Sequence, residues 1–341
     1  MNSKLTRPAA FILLVALSAC NKHADLQLDN AVEKSNSTAA LAAAAVVPNT
    51  VVTIAGARNS AGFVDGPAKT ARFNSPEGIQ LMPDGALYIA DANNNAVRKL
   101  TTDGDVSTLQ LQAPPDGQSL RPAFVGVDKA GEIHIISNNE DQAGLTFIYN
   151  ANESITAEDG YTYTYLGPLA KDPYNDFFYF AEGTHIIKHL VNSQGTIGTE
   201  PVNFDRTLLT DDEARRGQFF SGLFVGGNRV IYFATPGRLF KYTPSGVTEQ
   251  LYPALKPGAI TSIILNKDSR TMYLAASGKI EKIEGGKLTV LAGPNATTPD
   301  GRDGVGLKAD VNAFSLALGD HENSIYFSDT KTNTIRKLML K

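Results

Sequence analysis

The chain has 341 residues, a formal net charge of −4, one cysteine, no tryptophan, 30 glycines and 17 prolines. The slightly acidic balance excludes a basic surface for nucleic acid, and a single cysteine excludes an intramolecular disulfide and a multi-cysteine zinc site. Glycines and prolines spread along the chain are typical of many short strands joined by tight turns. The composition therefore favours an all-β protein whose partners do not include nucleic acid.

The N-terminus has the layout of an export signal. Lys4 and Arg7 precede an apolar run over residues 9–16, which is too short to span a bilayer. Small residues follow, and the sequence LSAC that ends at Cys20 resembles the lipobox of bacterial lipoproteins. This resemblance implies that Cys20 becomes a lipidated N-terminus. We therefore expect a lipid-anchored protein of a bacterial cell envelope, with the outer membrane as the predicted location.

The segment after the cysteine differs in composition from the rest of the chain. Residues 21–45 are polar and then rich in alanine, with no alternation of apolar and polar positions. Such a segment cannot fill a hydrophobic core, so a flexible tether is predicted. The sequence thus predicts a signal peptide over residues 1–19, the lipidated cysteine and tether over residues 20–45, and one large all-β domain over residues 46–341.

Two distant parts of the predicted domain share one pattern without a gap. Residues 65–100 and 303–338 are related by a constant offset. Self-similarity at a period of about 40 to 50 residues indicates units that must stack on their neighbours, as in solenoids and propellers. The identical positions are Asp65, Gly66, Ala71, Asn74, Tyr88, Asp91, Asn95, Arg98, Lys99 and Leu100, which recur as Asp303, Gly304, Ala309, Asn312, Tyr326, Asp329, Asn333, Arg336, Lys337 and Leu338.

Six units in this region each contain a turn followed by an apolar strand. An aromatic residue lies near the centre of the strand in five units, and His134 takes that place in the second unit. The spacing between units is that of one four-stranded sheet each. The six central residues are Tyr88, His134, Tyr179, Tyr232, Tyr273 and Tyr326.

The sixth unit has only three residues after Leu338, too few for an outer strand of its own. Residues 51–56, with the sequence VVTIAG, match the outer strand LTVLAG of the fifth unit at residues 288–293. An N-terminal strand that joined the last sheet would pair two otherwise exposed edges and close a ring. We therefore predict that residues 51–55 supply the outer strand of the last blade of a propeller.

Three segments of the first copy carry a family resemblance: residues 73–79 (FNSPEGI), residues 87–91 (LYIAD) and residues 95–99 (NAVRK). They resemble the NHL repeat, and this resemblance implies an all-β, six-bladed β-propeller of the NHL type. The first and last units match the repeat well, and the four units between them match it less. Other propeller classes fit worse, since a chain without tryptophan has no WD dipeptide.

The most prominent polar set of the first copy is Asp91, Asn95 and Arg98, which could be taken for a ligand site. An Asp at the end of a strand can accept hydrogen bonds from turn amides, and Asn tolerates the left-handed turn conformation. The set also recurs, as Asp329, Asn333 and Arg336. A recurring set is better explained by the construction of each sheet than by a single site, so we interpret it as a structural motif.

The propeller resemblance also raises a metal hypothesis. Six-bladed lactonases and lyases, the gluconolactonase-like group among them, hold a metal ion at the central mouth, and Glu77 resembles the first ligand of that group. The equivalent positions in the other units are Ala123, Pro168, Ser221, Ser262 and Ser315. One carboxylate cannot build a calcium site that needs about six oxygen ligands. We therefore expect no cofactor, with a divalent metal such as Ca²⁺ at Glu77 as the alternative.

Histidines offer little support for a metal site by sequence alone. His185 and His189 are four residues apart, as in a helical zinc pair, but their segment has the pattern of a strand. Four strand residues span about 13 Å, which is too far for shared chelation. His134 occupies the position of Tyr88 and Tyr326, so we interpret it as a packed strand residue.

These patterns favour a non-enzymatic binding or scaffold module. The predicted ligand is a protein, a peptide or a glycan that binds on one face of the propeller, and the predicted membrane contact is the lipid on Cys20. The alternative is a metal-dependent lactonase or lyase that uses Glu77. The fold does not decide between the two, because propellers host both kinds of function.

Overall fold

The computed structural model describes residues 47–111, 120–129, 131–139, 142–149, 155–157, 166–175, 177–183, 185–192, 195–210, 220–294 and 300–341. Cys20, the predicted signal peptide and the predicted tether lie outside these residues. Contacts group residues Val46–Lys341 into one unit. Within the described part of the chain, the helices are three-residue 3₁₀ turns, and none is long and apolar enough to cross a membrane.

The described residues contain 26 strands in six antiparallel sheets, numbered here in chain order. Sheet 1 contains β2 (Gly66–Pro67), β3 (Pro76–Leu81), β4 (Leu87–Asp91), β5 (Ala96–Leu100) and β6 (Asp105–Thr108). Sheet 2 contains β7 (Pro122–Val127), β8 (Ile133–Asn139), β9 (Gln142–Tyr149) and β10 (Ile155–Ala157). Sheet 3 contains β11 (Leu166–Lys171), β12 (Phe177–Glu182), β13 (His185–Asn192) and β14 (Gly195–Pro201).

Sheets 4 and 5 repeat the plan of sheets 2 and 3, with four strands in chain order. Sheet 4 contains β15 (Gly222–Val225), β16 (Ile231–Thr235), β17 (Arg238–Tyr242) and β18 (Thr248–Leu251). Sheet 5 contains β19 (Ile260–Leu265), β20 (Thr271–Ala276), β21 (Lys279–Glu284) and β22 (Lys287–Ala292). Sheet 6 contains β1 (Thr50–Ala55), β23 (Gly304–Val305), β24 (Ala313–Leu318), β25 (Ser324–Asp329) and β26 (Thr334–Met339).

Burial in a sheet is greatest in a middle strand and lowest at the outer edge, as sheet 5 shows. In sheet 5 every residue of β20 is buried, whereas the outer strand β22 begins with exposed and half-buried positions. Because each sheet packs between two neighbours, its middle strands are covered on both faces and read as near-continuous apolar runs. This explains why the apolar strand with a central aromatic residue was the clearest signal in each unit of the sequence.

The first strands of the six sheets, namely β3, β7, β11, β15, β19 and β24, contact one another in cyclic order, and β24 contacts β3 to close the ring. Sheets 1 and 2 approach closely at Gly78, where a Cβ atom would lie only 2.7 Å from the carbonyl oxygen of Ala123. A glycine is required there because any side chain would push the two inner strands apart. The predicted all-β propeller is confirmed.

The N-terminal strand closes the ring as the sequence predicted. Strand β1 lies between β23 and β26 of sheet 6, with Val51 opposite Leu338. Asp303 accepts hydrogen bonds from the backbone amide and the hydroxyl of Thr53, both at 2.9 Å. In sheet 1, Asp65 accepts the same two bonds from Thr108 of β6, at 3.0 and 2.9 Å. Strand β1 therefore takes in sheet 6 the place that β6 takes in sheet 1.

Candidate functional site

The recurring Asp and Arg residues form ion pairs, one of which in each copy is fully buried. Arg98 is fully buried, and its guanidinium donates to Asp91 Oδ2 at 2.7 Å and to Asp65 Oδ1 at 2.6 Å. The second copy repeats this arrangement with Arg336, Asp329 and Asp303, at 2.8 and 3.0 Å. In each copy the arginine joins the end of a middle strand to the segment that precedes the edge strand.

The recurring asparagines hold turns. Asn95 and Asn333 have positive φ angles of 52° and 59°, a left-handed conformation that Asn adopts more readily than most residues. Asn333 Oδ1 also accepts a hydrogen bond from the backbone amide of Ser75 at 2.8 Å, which ties sheet 6 to sheet 1. The motif residues therefore lie within and between the sheets, and none of them lines the central cavity.

The ring of inner strands surrounds a cavity of about 690 Å³. All six inner strands contribute to its wall, and the lining is largely apolar. Representative side chains, one from each strand, are Leu81, Phe124, Leu169, Phe224, Ile264 and Leu318. A cavity of this size and character is typical of a site for a small molecule or for part of a larger ligand.

Charged residues lie at one end of this cavity. Asp128 and Lys129 follow β7, and Lys171 and Asp172 lie at the end of β11. Lys129 donates to the backbone carbonyl of Tyr174 at 2.8 Å. One opening of the largely apolar cavity thus carries both positive and negative charges. The cavity can therefore accept a ligand that has an apolar body and a polar end.

Glu77 lies near the opposite end of the inner strands, at the second residue of β3. Its carboxylate accepts a hydrogen bond from the Arg121 guanidinium at 2.8 Å, and its side chain is 14% exposed. Burial raises the pKa of Glu77, although the positive charge of Arg121 acts in the opposite direction. The structure thus brings the predicted metal ligand together with a cation from sheet 2.

Two of the serines at the positions equivalent to Glu77 hold neighbouring sheets together. Ser315 Oγ accepts a hydrogen bond from the amide of Ile79 at 3.2 Å, and Ser262 Oγ accepts one from the amide of Leu316 at 3.1 Å. Their hydroxyl groups are therefore used between the inner strands. Among the residues that the structure describes, Glu77 does not belong to a group of three potential metal ligands.

Three ionisable side chains do converge elsewhere, beside sheet 3. Asp128, Glu132 and His134, called the acid–histidine cluster below, are 4%, 6% and 1% exposed. One ligand atom from each lies within 4.8 Å of the others, and His134 Nε2 is 3.6 Å from Asp128 Oδ2. The His134 ring packs against Phe178, with 4.5 Å between ring centroids, and lies 6.1 Å from the ring of His189.

The protonation states near this cluster differ from those of free side chains. Burial opposes ionisation of Asp128, but His134, the amide of Glu132 and the charge of Lys171 together lower the pKa of Asp128. Burial and the neighbouring His134 lower the pKa of His189 to about 4. At neutral pH, Asp128 is therefore a carboxylate and His189 is a neutral imidazole.

The cluster was missed by the analysis of the sequence. His134 is a packed strand residue, as predicted, but the sequence did not show that Glu132 and Asp128 lie beside it. His189 is buried, whereas His185 is exposed and contacts Arg206. A signal was present, since a histidine, which titrates near neutral pH, stands in the second unit where the other five units have tyrosine.

Comparison with known proteins agrees with the repeat pattern. The model of the NHL repeat matches residues 73–100. The chain carries an NHL repeat. An alignment over 129 residues, which covers 35% of the chain, shows 29% identity to the protein SUPPRESSOR OF QUENCHING 1, chloroplastic, of Arabidopsis thaliana. The chain spans only 11% of the length of that relative, so the likeness concerns one part of a much larger protein.

Solved structures show the same fold at low sequence identity. A Bacteroides thetaiotaomicron protein of unknown function has a TM-score of 0.65 at 16% identity, over 86% of this chain and 76% of that one. An auxiliary nutrient binding protein of the same organism has a TM-score of 0.63 at 14% identity, over 84% and 75%. A Xanthomonas campestris gluconolactonase has a TM-score of 0.55 at 10% identity, over 85% and 89%. Both binding proteins and enzymes therefore use this fold.

Proposed function

We propose that the chain is a six-bladed NHL-type propeller, with one blade for each of the six sheets, that acts as a non-enzymatic binding module. A lipid on Cys20 anchors it to a membrane of a bacterial cell envelope, in our proposal the outer membrane. The ligand is a protein, a peptide or a glycan that places an apolar group in the central cavity.

The observation that carries this proposal is the apolar cavity itself. Its volume of about 690 Å³ lies within the range of ligand sites, and all six inner strands contribute apolar side chains to its wall. An apolar group that leaves water for such a cavity gains roughly 25 cal/mol for each Å² that it buries. The charged groups at the end of β7 and β11 would orient a ligand rather than supply most of its affinity.

A metal-dependent lactonase or lyase remains the second candidate, since the fold is shared with a gluconolactonase. In that candidate, Glu77 would hold a divalent metal such as Ca²⁺. The geometry at Glu77 favours the binding module instead, because its carboxylate already pairs with Arg121 at 2.8 Å. A cation bound there would have to displace or repel that guanidinium.

The proposed ligand site can be tested with an apolar fluorescent probe, 8-anilinonaphthalene-1-sulfonate. We expect the native protein to bind one probe molecule in the cavity, with an increase in fluorescence. Leu318→Trp fills part of the cavity and is expected to weaken binding at least about tenfold. Ser245→Trp, at an exposed turn, is the matched control and is expected to leave binding unchanged.

Equal binding by the two tryptophan variants would contradict a site in the cavity. The same preparations are assayed for hydrolysis of glucono-lactone, with and without added Ca²⁺. The proposal predicts no turnover. A turnover that disappears in Glu77→Gln would instead favour the metal-dependent enzyme.

The proposed anchor predicts a change in distribution between cell fractions. Cys20→Ala is expected to move the protein from the membrane fraction to the soluble fraction, because a diacyl chain supplies durable attachment. Fractionation at high salt, followed by immunoblotting, measures this distribution. A Cys20→Ala protein that still sediments with membranes would show that the lipid is not the anchor.

A further inference from the structure

Three positions near sheet 3 depart from the pattern of the repeat. Where sheet 2 has His134, the other five sheets have tyrosine. Two residues earlier, Glu132 stands where the other sheets have Ala86, Phe177, Val230, Thr271 and Ser324. In sheet 3, His189 lies opposite Phe178, the residue directly before the central tyrosine. In the other sheets, the residues opposite the equivalent position are Leu100, Tyr149, Tyr242, Ile283 and Leu338.

The three departures meet at one place in the fold. His134 and His189 belong to different sheets and are 55 positions apart in sequence, yet their rings are 6.1 Å apart, and Glu132 lies with His134 in the acid–histidine cluster. At each of these three positions, the other five sheets have residues that carry no charge at neutral pH. Packing alone therefore does not require ionisable side chains here, and their convergence indicates a site.

The state of His134 is the second and independent observation. The residue is 1% exposed, and neither of its ring nitrogens makes a hydrogen bond within the described part of the chain. A buried polar group without a hydrogen bond is costly and uncommon, and a bound ion is one of its known explanations. The Nε2 atom is 3.6 Å from Asp128 Oδ2, which is beyond hydrogen-bond distance.

The spacing of the cluster is that of two ligands with an ion between them. A zinc ion holds nitrogen and oxygen ligands at about 2.0–2.2 Å in a tetrahedral arrangement, which places two ligand atoms roughly 3.4 Å apart. His134 Nε2 and Asp128 Oδ2 are 3.6 Å apart, too far for a hydrogen bond but close to this value. One oxygen of Glu132 lies within 4.8 Å of these two atoms, so Glu132 is placed to be the third ligand if its side chain moves closer.

The charge and the donor atoms select the class of ion. Asp128 and Glu132 are both buried carboxyl groups, and Lys171 is a cation whose charge acts on Asp128. A dication between two buried carboxylates would compensate their charge, which a neutral occupant would not. An imidazole with two carboxylates is a donor set for zinc and similar transition metals, whereas calcium prefers six to eight oxygen ligands. Asp128 and Lys171 also line the central cavity, which provides a path for the ion.

We propose that Asp128, Glu132 and His134 together bind one divalent transition-metal ion of the zinc class. This site is separate from Glu77 at the opposite end of the inner strands. It departs from the expectation of no cofactor that the sequence supported. The inference goes beyond the proposed binding function and does not depend on it.

The test uses the full-length protein without a histidine tag, after treatment with a chelator. Equilibrium dialysis against Zn²⁺, followed by metal analysis, is expected to give one zinc ion per chain. At a hundredfold excess over Kd, zinc is expected to raise the Tm by about 4 °C through mass action. Replacement of zinc by Co²⁺ reports the ligand set, since an imidazole and carboxylate site gives characteristic visible absorption.

Two variants remove one proposed ligand each. His134→Tyr introduces the residue that the other five sheets already have, and Glu132→Gln keeps the size of the side chain. Each is expected to weaken zinc binding by at least about 100-fold. Glu281→Gln, which removes a buried carboxylate in sheet 5, and Glu77→Gln are the matched controls and are expected to retain binding. Circular dichroism confirms that each variant is folded.

Several results would overturn the proposal. They are the absence of stoichiometric zinc, undiminished binding in both His134→Tyr and Glu132→Gln, and equal loss in Glu281→Gln. Loss of binding only in Glu77→Gln would place the metal at the opposite mouth. If His134→Tyr does not fold, the result with Glu132→Gln decides. Binding of the fluorescent probe is measured separately, so failure of the metal site and failure of the cavity site can be told apart.

Discussion

Arg98→Met is expected to lower the free energy of unfolding by about 3–5 kcal/mol, because it leaves a buried carboxylate without its partner. Arg98 and Asp91 are both fully buried, and their contact of 2.7 Å lies inside the sheet. The guanidinium also satisfies the backbone carbonyls of Val64 and Arg72, which would lose their hydrogen bonds. Urea unfolding at neutral pH measures the change. The second copy around Arg336 is expected to show the same effect.

An exposed arginine provides the control. Arg270 is 85% exposed and lies 3.8 Å from Asp268, so Arg270→Met is expected to change stability by less than about 1 kcal/mol. Equal effects of the two substitutions would contradict a structural role for the buried pair. Such a result would reopen the interpretation of Asp91, Asn95 and Arg98 as a ligand site.

The loss of stability in Arg98→Met is also expected to depend on pH. Burial raises the pKa of Asp91, although its hydrogen bonds and Arg98 act against this effect. A carboxyl group whose pKa is higher in the folded state binds protons more tightly there, so stability falls as pH rises through that pKa. Removal of Arg98 raises the pKa of Asp91 further. The difference in free energy of unfolding between the native protein and the variant should therefore be larger at neutral pH than at acid pH. Urea unfolding curves at both pH values measure this difference.

Deletion of residues 46–56 is expected to remove most of the stability of the propeller, which for a typical domain is about 5–15 kcal/mol. The deletion removes β1, whose Val51 is fully buried, and leaves the edges of β23 and β26 without a partner. The ring then opens at sheet 6. A large fall in Tm, or failure to fold, is the expected result in thermal denaturation followed by circular dichroism.

Two further variants show whether the effect belongs to β1. Deletion of residues 21–45 leaves β1 in place and is expected to change the Tm by less than about 2 °C. Thr53→Val keeps the shape of the side chain but loses the hydroxyl bond to Asp303, at a cost of about 1 kcal/mol. Equal melting temperatures for the two deletions would contradict closure of the ring by β1.

Much of the fold could be predicted because the repeat is a local pattern. A turn and an apolar strand with a central tyrosine recur within each unit, and Asp65 and Asp303 recur at the same offset as the arginines that they contact. Closure by β1 was also predictable, since residues 51–56 match the outer strand of the fifth unit and a sheet edge needs a partner. These inferences need only the order and number of residues along the chain.

The Glu77–Arg121 pair and the burial of the acid–histidine cluster depend on contacts between sheets, which the repeat does not encode. The pairing of Glu77 with Arg121 joins sheet 1 to the start of sheet 2. The meeting of His134 with His189 joins sheet 2 to sheet 3. A period shows which residues form strands, but the twist and insertions of each sheet decide which side chains meet across an interface.

For this protein the sequence by itself determined the repeat, the all-β class and the strand that closes the ring. These follow from the alternation of turns and strands and from the need to pair every edge. The tertiary structure alone decided that Glu77 pairs with a cation and that Asp128, Glu132 and His134 form a buried cluster. Burial and distance set the chemistry of those groups, and their burial arises only when neighbouring sheets pack.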